Sequence, residues 1–269
     1  MKARSPGLVS IVAFGYALLY IPIVSVVIYS FNDSRLVTLW GGFSLRWYAS
    51  LLEDEKLLEA ALLSLRIAFL SATFATALGA IVALALHRLT RLRGRLLLSG
   101  MVTAPLVMPE IITGLSLLFL FISMANLIGW PMSRGATTIT IAHMTFSMAY
   151  VVVVVRSRLA AMDESLEEAA MDLGGRPVAV FFDVTVPMLL PALVSGWLLA
   201  FTLSLDDLVI SSFVSGPGAT TLPMYIFAKV RLGVTPDINA ITTIIIALVA
   251  LAVATASIVS NRRRPVGAQ

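Results

Sequence analysis

The chain has 269 residues, 59% of them hydrophobic and only 13% charged, with mean hydropathy +0.95. About a quarter of a water-soluble domain is charged, so this composition excludes an ordinary soluble enzyme or adaptor and indicates one polytopic membrane domain over residues 1–269. The net charge of +4 is spread along membrane flanks and makes no nucleic-acid patch, and the absence of cysteine excludes disulfides, thiolate chemistry and cysteine-ligated metal.

A bilayer core takes about 20 apolar residues per helix. Six runs qualify, at about 8–30, 62–86, 97–122, 137–158, 189–214 and 239–260. The first is too long for a signal-peptide core and reads as an uncleaved span. Orientation follows from the basic residues. Lys2, Arg4, Arg88, Arg91, Arg93, Arg95, Arg156, Arg158, Arg176, Arg262, Arg263 and Arg264 flank one side. Arg35, Arg46, Lys56, Arg66, Arg134, Lys229 and Arg231 flank the other. The short, all-basic loop 87–95 decides the matter and predicts cytoplasmic termini and cytoplasmic loops 87–96 and 159–188.

After the first span, segment 31–61 carries Trp40, Phe43, Trp47 and Tyr48, then Glu53-Asp54-Glu55. It reads as an interfacial aromatic belt with a solvated charge run, or as an outer vestibule. In the third run, Pro105 and Pro109 predict a kink that opens backbone groups to a cavity, and Glu110 follows at once. The fourth run opens on Thr137, Thr138 and Thr140 and holds His143 beside Met144 and Met148. That histidine reads as an interior hydrogen-bonding residue, with a proton relay as the rival. Gly114, Ser195 and Gly196 are expected to permit close helix approach.

Segment 159–188 has a helical pattern. Ser165 with Glu168 forms a capping box, and Leu166, Ala170 and Leu173 share one stripe. Gly174-Gly175 ends that helix. Pro177 starts a second one through Val178, Val180, Phe181 and Phe182 towards Pro187. The expected product is a helical hairpin in the cytosol, a docking knob. In the outer loop 215–238, Gly216-Pro217-Gly218 forces a turn, and Thr221 caps a short helix with Pro223 in its first turn.

Glu110, Asp206 and Asp207 lie inside apolar runs with no Lys or Arg at similar depth. An ionisable group at mid-bilayer costs roughly 2.5–3.5 kcal/mol or more, so such groups face a bundle interior or a wet cavity. Three uncompensated acids describe a path for a cation. Glu110 lies about 20 Å of helical rise into its run and the aspartates about 26 Å into theirs, at similar depth. Neighbours on a helix point about 100° apart. One aspartate therefore lines the path while the other bonds a neighbouring helix or backbone, and Asp207 is weighed slightly as the lining one. No Gly-x-x-x-x-Gly-Lys-Ser/Thr loop is present for ATP.

The sequence Glu168-Ala-Ala-x-x-x-Gly174, nine residues, then Val184-x-Val186-Pro187 resembles the EAA motif of permeases in binding-protein-dependent ABC importers. Gly42–Tyr48, Ala104–Glu110, Leu203–Leu208 and Ser215–Pro223 are similar to stretches of the spermidine/putrescine permeases. The resemblance implies an all-α, six-span, type I importer permease of MetI-like fold, with a coupling helix in segment 163–187. It implies that Leu166, Glu168, Ala169, Ala170, Gly174 and Pro187 meet an ATPase, and that Glu110, Asp206, Asp207, Trp47 and Tyr48 line a polyamine pathway. It further implies no catalytic residue, no metal and no cofactor in this chain, with ATP and Mg held by two copies of an ATPase subunit. The other implied partners are a second, homologous permease, a periplasmic polyamine-binding protein and the lipid of a bacterial inner membrane, with no nucleic acid. Transport would proceed by alternating access. Two rivals use the same acids: a proton-coupled secondary transporter, and an intramembrane aspartyl protease with two facing carboxylates. Neither accounts for the helical hairpin.

Overall fold

The computed structural model describes residues 6–36, 39–89, 93–163, 165–233 and 236–262. In chain order the helices are α1 (Pro6–Tyr29), α2 (Arg46–Glu53), α3 (Glu55–Arg88), α4 (Arg95–Val107), α5 (Glu110–Ile128), α6 (Ala136–Ala160), α7 (Ser165–Asp172), α8 (Pro177–Val180), α9 (Val186–Asp206), α10 (Val209–Val214), α11 (Leu222–Leu232) and α12 (Pro236–Arg262). A π-helical turn, Phe181–Thr185, joins α8 to α9. Among the described residues, five stretches are each long and apolar enough to cross a bilayer: Val9–Tyr29, Glu55–Arg88, Glu110–Ile128, Ala136–Ala160 and Pro177–Asp206. The sixth expected run falls in α12, whose stretch Pro236–Ala247 is also apolar.

Three departures from the expected spans have local causes. The third run is two helices, because Pro109 forces the preceding Met108 out of the helical region, to φ −81° and ψ 136°. The fifth run is also two helices, broken after Asp206, where Asp207 is extended at φ −70° and ψ 121°. The second arm of the cytoplasmic hairpin is not a separate helix. It runs into α9 through the π-turn, in which the Val186 amide donates to the Phe181 carbonyl just ahead of Pro187. Proline has no amide hydrogen to continue the ordinary ladder, and the wider turn absorbs that loss.

Residues 59–225 form one compact unit. Its axis is α6, which packs against α9, α4 and α10. One apolar cluster gathers Ala72, Ala75, Leu86, Val151, Val155 and Leu189. A second gathers Ile67, Phe121, Ile139, Phe146, Ile210 and Val214. Helix α5 packs on α10. Gly114 permits that approach, since a Cβ there would stand 2.8 Å from the Phe213 ring and 3.3 Å from the Ile210 Cα. Ser195, expected to do likewise, is exposed and donates to the Pro191 carbonyl.

Residues 1–58 and 226–269 form the other unit. There α12 packs on α1 and α2. Lys229 Nζ bridges Asp54 and Asp237, at 2.9 and 2.8 Å, tying the end of α2 to α11 and the start of α12.

Candidate functional site

The two helix breaks set the acidic site. Glu110 is the first residue of α5 and Asp206 the last of α9. Each stands one turn before the contact that joins α5 to α10: Glu110 precedes Gly114 by four residues, and Asp206 precedes Ile210 by four. Both carboxylates are exposed. Among the described residues, no side chain or amide bonds to either.

Asp207 behaves differently. Its side chain is 7% exposed. Oδ1 accepts the Ile210 amide at 3.1 Å, and Oδ2 accepts the Ser211 amide at 2.7 Å. The carboxylate thus caps α10 and offsets the positive end of that helix. His143 Nε2 lies 3.0 Å from the same Oδ2. Of the two expected roles, Asp207 holds the bonded one and Asp206 is left exposed. This reverses the slight preference for Asp207 as the lining residue. The reason is that the Asp207 side chain, competing for the α10 amides, is itself what breaks the helix. His143, Ser204 and Ser211 were not picked out as site residues. Only the lone histidine in an apolar span hinted at them.

Trp47 and Tyr48 lie in the other unit. The Trp47 indole donates to the Asn32 carbonyl at 2.7 Å, and the Arg46 guanidinium sits 4.5 Å over its ring. Tyr48 shares a 2.6 Å hydrogen bond with Ser30 and packs its ring on Phe31. Trp47 also lines a cleft of about 370 Å³ with Asp54, Lys229 and Asp237.

The cytoplasmic hairpin is built from α7 and α8. Ser165 lies inside α7 and does not cap it. Asp163 instead accepts the Ser165 amide at 3.0 Å. Hydrogen bonds from the Ser165 hydroxyl and amide hold the exposed Asp163 carboxyl below the ordinary aspartate range. The helix ends as expected. Gly174 takes φ +88° and donates to Met171 O, and the Gly175 amide reaches back to Ala170 O at 3.0 Å. A Cβ on Gly175 would meet that carbonyl at 2.7 Å.

Two adjacent glutamates divide the work in α7. Glu167 turns inward: Arg88 donates to both its oxygens at 2.7 and 2.8 Å, and the buried Thr185 hydroxyl donates at 2.5 Å. Glu167 thereby joins α7 to the end of α3 and to the π-turn. Sequence patterning missed it, because Arg88 and Thr185 are 79 and 18 residues away. Glu168 faces outward, as do Ala169 and Pro187, while Ala170 is half-buried. Leu166, Leu173, Val178 and Phe182 add large exposed apolar side chains to the hairpin, with Leu173 91% exposed. The hairpin thus presents large exposed apolar side chains beside an outward acid.

Residues 75–263 match the family described as "Binding-protein-dependent transport system inner membrane component". The putrescine transport system permease protein PotI of Escherichia coli (strain K12) is 58% identical over 248 residues, covering 92% of this chain and 88% of that protein. The spermidine/putrescine transport system permease protein PotC of Haemophilus influenzae is 46% identical over 233 residues, covering 87% and 88%. A chain of a bacterial ABC transporter involved in the import of the acidic polysaccharide alginate is similar with TM-score 0.69 at 18% identity, covering 98% of this chain and 99% of that one. A chain of a bacterial alginate ABC transporter in complex with alginate pentasaccharide-bound periplasmic protein gives TM-score 0.70 at 16% identity, covering 97% and 94%. At such identities the last two likenesses speak for the fold alone.

Proposed function

The chain belongs to the family of binding-protein-dependent transport system inner membrane components, and from that premise we propose that it is a permease subunit of an ATP-driven importer of polyamines. As a family member it is an inner-membrane transport component. The observation that carries the cargo reading is the pair of exposed carboxylates, Glu110 and Asp206, at breaks in two packed helical segments. Broken membrane helices are a recurrent way to build a substrate site in mid-bilayer. At each break the negative carboxyl end of one helix meets the positive amino end of the next, so the charge that favours a cation is that of the two carboxylates themselves. The identities to PotI and PotC support a diamine or longer polyamine as that cation. Trp47 and Tyr48 are assigned to the pathway as aromatic residues, the side-chain type that attracts ammonium groups.

The coupling reading rests on the hairpin. Leu166, Glu168, Ala169 and Ala170 on α7 meet a partner ATPase that binds ATP and Mg. Gly174 shapes the tip, and Pro187 marks where the hairpin passes into α9. Glu167 with Arg88 and Thr185 transmits the movement into α3 and α9, the second of which ends at Asp206. Two ATPase copies, a second homologous permease and a periplasmic binding protein complete the importer. Its two permeases open alternately to each side.

The test is uptake of labelled putrescine and spermidine by vesicles that hold the full complex with its binding protein, with and without internal ATP. ATP-dependent uptake is expected, and the preferred label names the cargo. Uptake that ignores ATP and follows a proton gradient overturns the reading.

A further inference from the structure

His143 touches both sides of the gap between α9 and α10. Its Nδ1 lies 2.6 Å from Ser204 Oγ, in the last turn of α9. Its Nε2 lies 3.0 Å from Asp207 Oδ2, inside the gap, and 3.0 Å from Ser211 Oγ, in α10. The histidine is 2% exposed. We propose that His143 is the positioning residue of the transport path: by holding Ser204, Asp207 and Ser211 in one arrangement, it keeps the helix broken and leaves the adjacent Asp206 carboxylate turned to the path. The inference rests on the reading of this gap as part of the path.

The first break in this unit has a proline to explain it. The second has none, for Leu203-Ser-Leu-Asp-Asp-Leu-Val-Ile210 contains no residue barred from a helix. The break therefore depends on side-chain bonds. Asp207 supplies two to the amides of α10, and His143 supplies the third from α6.

The hydrogens can be placed without conflict. Ser71 on α3 donates to Ser204 at 3.0 Å. The Ser204 hydroxyl then donates to Nδ1, and the single Nε2–H is shared between the Asp207 carboxylate and Ser211 Oγ. This needs a neutral imidazole and an ionised acid, and it satisfies each group in the chain. It also links α3, α6, α9 and the gap in one polar network, and such networks fix a single arrangement when fully satisfied. Because Asp207 is held towards α6, its neighbour Asp206 is left on the exposed side.

The chain has no cysteine, so Asp206→Cys gives it a single thiol at the site. In the full complex, a positively charged thiol reagent should modify that thiol readily. Adding His143→Leu should slow modification about tenfold, and His143→Gln, whose amide can still donate towards Asp207, should restore most of the rate. An unchanged rate in the His143→Leu background overturns the proposal. In the otherwise unaltered chain, His143→Leu should raise half-saturating putrescine about tenfold while the amount of assembled complex stays constant, with His143→Gln close to the unaltered value. A merely structural histidine would lower the amount of complex and leave the half-saturation of the surviving fraction alone.

Should His143→Leu prevent assembly, His143→Asn and His143→Gln decide. The shorter amide reaches only the Ser204 side, so it should behave as the weaker variant in both assays. Equal behaviour of the two overturns the proposal. Failure of the polyamine reading would appear as no putrescine uptake by the unaltered complex. The thiol rates need no cargo and would still report on His143.

Discussion

Asp206 and Asp207 are neighbours with the same side chain, yet the structure gives them different work. Asp206→Asn removes an exposed charge and no hydrogen bond. It should raise half-saturating polyamine roughly tenfold, about 1.4 kcal/mol of binding, with normal assembly. Asp207→Asn puts an amide where three N–H groups now converge on a carboxylate. Its NH₂ cannot accept them, and leaving buried donors unmet costs about 1–3 kcal/mol. Its main effect should be a lower melting temperature of the purified complex. Uptake and melting measured on both variants separate these outcomes, and the opposite ranking would move the path to Asp207. The expense of acids in apolar runs was legible from sequence, as was the rule that two adjacent acids cannot share one role. Which acid takes which role was not legible. It depends on His143, 64 residues from Asp207, and on the bonds by which Asp207 takes the α10 amides.

At the scale of elements, proline and glycine were the readable local signals, because they restrict or free the backbone whatever surrounds them. Pro109 broke the third run, and Gly174-Gly175 ended α7. The π-turn and the inward Glu167 escaped, since one depends on how α8 meets α9 and the other on Arg88 at the end of α3. Glu167→Ala should loosen α7 by about 1 kcal/mol, a modest figure because Arg88 is nearly half exposed. Protease cleavage near residues 163–176 should then quicken, and ATP hydrolysis should drive less uptake per turnover. Glu168→Lys should leave α7 folded and abolish coupled uptake, because that side chain faces outward. Normal uptake by this variant would remove Glu168 from the coupling surface. Gly174→Ala strains a residue at φ +88° and should cost about 1–2 kcal/mol, seen as the same quickened cleavage. Asp163 gives the hairpin a pH signature. Its folded value lies below its unfolded one, so its contribution is complete at neutral pH and lost only as pH falls through the folded value. Cleavage of the hairpin should therefore be flat across the neutral range and rise only in acid.

At the scale of the whole molecule, the remaining question is which way the chain crosses the bilayer. The twelve basic residues on the flanks that include loop 87–95 outnumber the seven on the opposite flanks, and short basic loops stay on the cytoplasmic side. Helix α6 makes this testable. Its 25 residues rise about 37 Å, enough to cross the hydrocarbon core with some tilt. Met132 lies just before it and is 97% exposed, and Leu173 lies at the hairpin tip beyond its other end and is 91% exposed. In a chain without cysteine, Met132→Cys and Leu173→Cys each create one thiol. A membrane-impermeant thiol reagent added to intact cells with a permeable outer membrane should label the Met132→Cys variant. It should reach the Leu173→Cys variant only after the inner membrane is opened. If the hairpin docks an ATPase as proposed, that partner should then slow the second reaction in assembled complex, because Leu173 stands exposed at the hairpin tip. Labelling in the reverse order would put the hairpin outside. No ATPase could reach it there, so the charge bias and the coupling assignment would fail together.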